Sequence, residues 1–147
     1  MRVAYRLQLA WWLVRRPRVE GAYVAVWHRA RLLVIKNSYR QRFSLPSGGL
    51  RRGETPRDAA VRELAEEVGI AVRPEALVYR GEIVTSSRYA EDHAHVFEAR
   101  CEEEPTVSID RREVVWAGFL TPEDALARGL VGVVRRYLRG RGVGEEG

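Results

Sequence analysis

The segment from Thr55 to Gly69 constrains this chain most, because it carries every local signal of one amphipathic helix set directly behind a glycine-rich loop. Thr55 is a favourable N-cap, Pro56 suits the first helical position, and Asp58 stands where a capping-box acid reaches back. Val61, Leu64, Ala65 and Val68 form an apolar stripe at helical spacing, and Gly69 fits the left-handed position that ends a helix. The same helix carries Glu63, Glu66 and Glu67 at i, i+3 and i+4, so their carboxylates share one side. Like charges so placed repel and cost stability unless a cation lies among them. Oxygen-only ligands suit a hard ion such as Mg²⁺ or Mn²⁺. In front of the helix, Gly48, Gly49 and Gly53 let the backbone turn tightly and approach a phosphate. The combination implies a metal-dependent enzyme with a phosphorylated substrate.

The flanking sequence predicts strands over 21–27, 32–36, 42–45, 76–85, 93–101 and 113–120. Thr121-Pro122-Glu123-Asp124 repeats the helix-start chemistry for a short helix through Ala127, and a last helix is predicted over 130–138. Strands on both sides of a helix, with helices near the end, imply an α/β sandwich. There is no internal repeat and no linker long enough to divide the 147 residues, so 1–147 is read as a single domain. Residues 139–147 contain four glycines and are read as a flexible tail.

Leu7 to Val14 is apolar apart from Gln8, with arginines on both sides. The run is too short to span a bilayer and lacks the cleavage pattern of a signal peptide. It predicts an amphipathic N-terminal helix over 1–16, docked on the domain or in a homodimer. Insertion of Trp11 and Trp12 at a membrane surface is the alternative.

The single Cys101 forms no intrachain disulfide, which fits a reducing, cytoplasmic setting. The net charge of +5 comes from scattered arginines interleaved with acids, a pattern that argues against a dedicated nucleic-acid partner. His93 and His95 share one strand face and are read as structural rather than as metal ligands. No Ser-His-Asp order, cysteine-nucleophile context or zinc-type cysteine pair is present.

From Gly48 to Ile70 the sequence matches, at every specified position, the pattern G-x5-E-x7-R-E-U-x-E-E-x-G-U, where U is aliphatic. It thereby resembles the Nudix hydrolase superfamily. The resemblance implies a Nudix-type α/β/α sandwich with a mixed central sheet. It implies hydrolysis of a nucleoside diphosphate linked to another moiety X, with Mg²⁺ or Mn²⁺ as cofactor. Carried onto this chain, Glu63, Glu66 and Glu67, with the Ser47 carbonyl, would hold the metal. Arg62 would orient the glutamates, and Glu54 would tether the loop. The general base is left open among Glu63, Glu66 and acids of later loops, namely Glu113, Glu91 and Asp92. Tyr39, Arg42, Gly48, Gly49 and Arg88 are the substrate-binding candidates, with Arg40, Arg80 and Tyr89 beside them. Two other readings stand against this one: a Nudix module that senses nucleotides without hydrolysing them, and a membrane-surface enzyme acting on a lipid-linked diphosphate.

Overall fold

The computed structural model describes residues 17–142. The predicted N-terminal helix over 1–16 and most of the predicted tail lie outside the described residues.

β1 (Arg18–His28) and β2 (Arg31–Asn37) form a hairpin whose tight turn holds Arg29 at φ 54°. The two strands pair only at the hairpin end, Trp27 with Leu32 and His28 with Arg31. Beyond that point the segment from Ser44 to Gly49 runs between them. Ile35 and Ser44 exchange both backbone hydrogen bonds, and the Val24 N–H donates to the Pro46 carbonyl at 2.9 Å. Then β3 (Ser47–Gly49) pairs antiparallel with Gly21–Tyr23 of β1. The predicted strand over 42–45 is therefore not a strand. Only isolated bridges from Phe43 and Ser44 remain there, because the regular pairing starts later, at Ser47.

β4 (Val78–Ser86) pairs antiparallel with β5 (Glu91–Cys101), which runs parallel to β1 from Arg18–Glu91 through His28–Cys101. β6 (Val114–Leu120) pairs antiparallel with β2. The result is a mixed sheet in the order β4-β5-β1-β2-β6, with β3 beside the first half of β1.

Helices cover both faces: α1 (Pro56–Val68) on one, α2 (Pro122–Arg128) and α3 (Gly132–Gly140) on the other. The α1 caps form as the sequence implies. The Thr55 hydroxyl accepts the Asp58 N–H at 3.1 Å, and Gly69 ends the helix at φ 68°. β1 sends Ala22, Val24 and Val26 toward α1, and Ala25 and Trp27 toward α2 and α3. A strand buried on both faces reads as a continuous apolar run, as β1 does.

Two details of the helices depart from expectation. Ala65 is exposed and Val61 only partly buried; Ala59 and Ala60 pack on the sheet with Leu64 and Val68 instead. The small alanines let α1 approach the sheet closely, and this roll of the helix carries Glu63 and Glu67 to the buried side. At the C-terminal end, Arg139 and Gly140 belong to α3 rather than to a tail.

Leu64 is fully buried between α1 and the sheet. Leu64→Ala is expected to cost about 2–5 kcal/mol of unfolding free energy, measured by urea titration.

Candidate active site

The glycine loop enters the site through β3. Gly48 lies so close to the Glu63 carboxyl that a Cβ there would overlap it. The Ser47 N–H donates to Glu67 Oε1 at 3.3 Å. Arg62, one turn into the charged part of α1, ties the loop down. Its Nε and Nη2 each donate to a different Glu54 oxygen at 2.8 Å, and Nη2 also reaches the Gly49 carbonyl at 3.0 Å. Its Nη1 donates to Glu63 Oε1 at 2.6 Å. Fork-on-carboxylate contacts are directional and strong. They hold the Glu54 carboxyl down at about 2, helped by the Arg51 N–H, and push loss of the Arg62 proton further out of reach.

The three box carboxylates behind this clamp are not equivalent. Glu63 and Glu67 are buried, at 9% and 8% exposure. Arg62 compensates Glu63. Glu67 Oε2, also buried, has no hydrogen-bond partner among the described residues. Burial, then the hydrogen bond and negative charge of Glu63, push the Glu67 carboxyl well above its ordinary value of 4.5, against the opposing pull of the Ser47 N–H. A buried carboxylate pair that is short of positive charge and has an open oxygen fits a hard divalent cation. Glu66, expected as a third ligand, is half exposed and engaged by Arg51 at 3.2 Å and Arg62 at 3.3 Å. Among the described residues no three His, Cys, Asp or Glu side chains converge into a finished ligand set. Glu66 joins the other two only by exchanging its arginine partners for the ion.

On the other side of the loop, Ser47, Gly48 and Gly49 form one wall of an open cleft of about 210 Å³. Tyr23, Arg40, Thr85 and Asp92 line it further out. Tyr39 is exposed, and partial desolvation, followed by the charges of Glu67, Glu113 and Glu63, pushes its hydroxyl up against the opposing charge of Arg40. Glu113 is exposed at the foot of β6, where its carbonyl accepts the Ser38 N–H at 2.8 Å. Its charge contributes to raising Glu67.

Of the expected substrate contacts, Gly48 and Gly49 line this cleft, and Tyr39, Arg42 and Arg88 do not. Arg42 is exposed beside Phe43, whose ring packs edge-on against Trp116, away from the loop. Arg88 and Tyr89 occupy the exposed turn between β4 and β5. Arg40 takes the position expected for Arg42. Glu20, Tyr23 and Thr85, which also line the cleft, carry no local signal. Only the register of β5 against β1, which sets Glu20 beside His93, and against β4, which sets Thr85 beside Asp92, brings them there.

The sequence profile of the NUDIX domain matches residues 17–139. The chain belongs to the Nudix family. It is 29% identical over 121 residues to the methanol dehydrogenase activator of Bacillus methanolicus, an alignment covering 78% of this chain and 63% of that protein. The chain thus spans less than two thirds of the length of that curated relative. In fold it is similar to a MutT NUDIX hydrolase from Burkholderia pseudomallei, with TM-score 0.74 and 21% identity over 84% of this chain and 98% of that one. It is likewise similar to a MutT protein from Methanosarcina mazei, with TM-score 0.72 and 18% identity over 86% and 94%.

Beside the Nudix box, both strand histidines are committed to contacts within the sheet. Each ring nitrogen of His93 faces a carboxylate, Nδ1 that of Glu82 and Nε2 that of Glu91. Only an imidazolium donates on both sides. Glu82 first, and Glu91 after it, push the His93 pKa up. His95 lies between the Tyr79 hydroxyl at 3.0 Å and Glu20 at 3.3 Å. A raised histidine pKa stabilises the fold fully below the ordinary value of 6.5, and that contribution is lost as pH rises through the folded value. His93→Gln is therefore expected to lower the melting temperature more at pH 6 than at pH 9.

For Glu67 stability also falls as pH rises, but here because the charged form is disfavoured in the fold rather than favoured. Its raised pKa destabilises the metal-free fold increasingly as pH climbs above 4.5. Glu67→Gln is expected to melt higher than wild type at pH 7.5 in chelator, with the gap closing on acidification.

Proposed function

We propose that this Nudix hydrolase is a metal-dependent pyrophosphohydrolase. It splits a nucleoside diphosphate linked to a second moiety X into a nucleoside monophosphate and phosphorylated X. The observation that carries the reading is the buried Glu63–Glu67 pair, under-compensated in charge and lying beneath a backbone loop open to a phosphate. Glu63, Glu67 and, after release from its arginines, Glu66 would hold Mg²⁺ or Mn²⁺ together with the Ser47 carbonyl. When bound, such an ion supplies charge neutralisation for the phosphate oxygens and acidifies a water.

The chain's own residues do the rest. Arg62 fixes Glu63 and the loop in one arrangement, so little reorganisation remains when substrate arrives. Gly48 and Gly49 offer close backbone approach along the cleft. Arg40, which lines the cleft, would meet the far phosphate, and Tyr39 next to it in the chain would offer an aromatic face to the substrate. Glu113 is the base in this reading: it is exposed at the foot of β6 and, unlike Glu66, no arginine pairs with it among the described residues. Water attacks one phosphorus, its proton passes to Glu113, and the bridging P–O bond breaks with the electron pair leaving on the other phosphate. No described helix is long and apolar enough to cross a membrane. A small nucleotide substrate and a cytoplasmic setting suit the single free Cys101.

The test is a panel of nucleoside diphosphate sugars, CDP-alcohols, (d)NTPs and dinucleoside polyphosphates with Mg²⁺, Mn²⁺ or chelator. Metal-dependent release of a nucleoside monophosphate is expected from one class, lowered by orders of magnitude in Glu67→Gln. Glu113→Gln is expected to reduce kcat by about 10²- to 10⁴-fold while keeping the Mn²⁺-induced rise in melting temperature. Silence of the folded wild type across the panel would overturn the proposal.

A further inference from the structure

A second concavity lies between strand β4 and helix α3, and it contains none of the box residues. Its two parts hold about 340 Å³ and 500 Å³ and meet at Arg80, Gly140 and Arg141. Four arginines line it: Arg80, Arg100, Arg136 and Arg141. Arg80 thus belongs to this groove and not to the catalytic cleft.

Three of these guanidiniums are anchored. Glu98, only 5% exposed, accepts Arg80 Nε at 3.1 Å, one nitrogen of Arg141, and the Tyr137 hydroxyl at 2.6 Å. Tyr137 in turn takes the Trp27 indole N–H at 3.0 Å. The Arg141 guanidinium stacks 4.7 Å over the Trp27 ring, and Arg136 donates to the Val84 carbonyl at 2.9 Å. Anchoring removes much of the side-chain entropy that arginines otherwise lose when they close on an anion.

Among the described residues the acids do not balance this charge. Glu98 is one carboxylate for Arg80 and Arg141 together, and the other lining acid, Glu82, is taken by His93. Like charges held close together are costly until a counter-charge arrives. Val78 and Ile83 add exposed and half-exposed apolar wall beside the arginines.

We infer that this groove is a second ligand site, for a small organic phosphate such as a nucleotide. The phosphates lie on Arg80, Arg100 and Arg141, and the organic part rests against Val78. The arginine fork matches phosphate oxygens, and the apolar wall suits a base better than it suits a continuous phosphodiester backbone. The groove also shares an element with the cleft. Val133 of α3 lines the cleft, while Arg136 and Tyr137 one turn on line the groove.

This inference does not depend on the proposed reaction, and its test avoids it. The full chain in chelator is titrated with ADP, with a single-stranded oligonucleotide as a separate arm, by calorimetry and by the Trp27 indole N–H shift. Saturable ADP binding that moves the Trp27 signal is expected. Arg100→Gln should weaken it, and Arg80→Gln/Arg100→Gln should weaken it about tenfold or more. Absence of ADP binding by the folded wild type, or equal affinity in both variants, would overturn the assignment. So would an oligonucleotide that binds more tightly than ADP through the same arginines, which would make the surface a nucleic-acid contact. Arg100→Gln leaves the Glu98 network whole, so a folding defect in the double variant does not blunt the result.

Discussion

Pairing of β1 with β2 stops two residues after the turn, and the backbone groups freed by that parting need other partners. The segment from Ser44 to Gly49 supplies them, bonding Ile35 on one side and Val24 and Gly21–Tyr23 on the other. This wedge sets the loop inside the sheet instead of leaving it on the surface. The loop then runs directly into α1, whose alanines allow close docking. Gly48 can lie against Glu63 only because the wedge holds it there and because it has no side chain. Site and sheet therefore share one set of hydrogen bonds, and a disturbance of the wedge is a disturbance of the carboxylates.

Within that frame one guanidinium sorts four acids. Arg62 keeps Glu54 fully ionised, balances Glu63, keeps Glu66 on the outer side with help from Arg51, and leaves Glu67 without a countercharge. The same residue type, once in the loop and three times along the helix, is thus tethered as Glu54, balanced as Glu63, held outside as Glu66 and under-compensated as Glu67. Position relative to a single cation, more than residue identity, makes the difference.

Much of this is legible in the sequence. The caps of α1, the box and its carboxylates are local patterns, and they fold where the sequence places them. The element order and α/β class follow from periodicity, and the mixed sheet from the resemblance. What sequence hides is register. The buried stripe of α1 takes in Ala60 and not Ala65, because an apolar face that includes Glu63 and Glu67 does not look apolar. Arg42 looks as suitable as Arg40 in sequence, because the strand expected over 42–45 does not form and nothing local shows which arginine turns to the cleft. Glu20, Thr85 and the partners of His93 depend on how three strands line up. No local window contains that alignment. The groove of Arg80, Arg100 and Arg141 is hidden for the same reason.

The parallel ladder between β1 and β5 joins residues about 73 positions apart. The clamp of Arg62 on Glu54 and Glu63 spans at most eight. Short loops close quickly and long ones slowly. As the chain emerges during synthesis, the helix and its ion-pair clamp have all their partners well before β5 arrives to supply the outer wall of the cleft. The chain therefore has the means to gather its charged cluster early, while the cleft beside that cluster waits on a partner strand far along the chain.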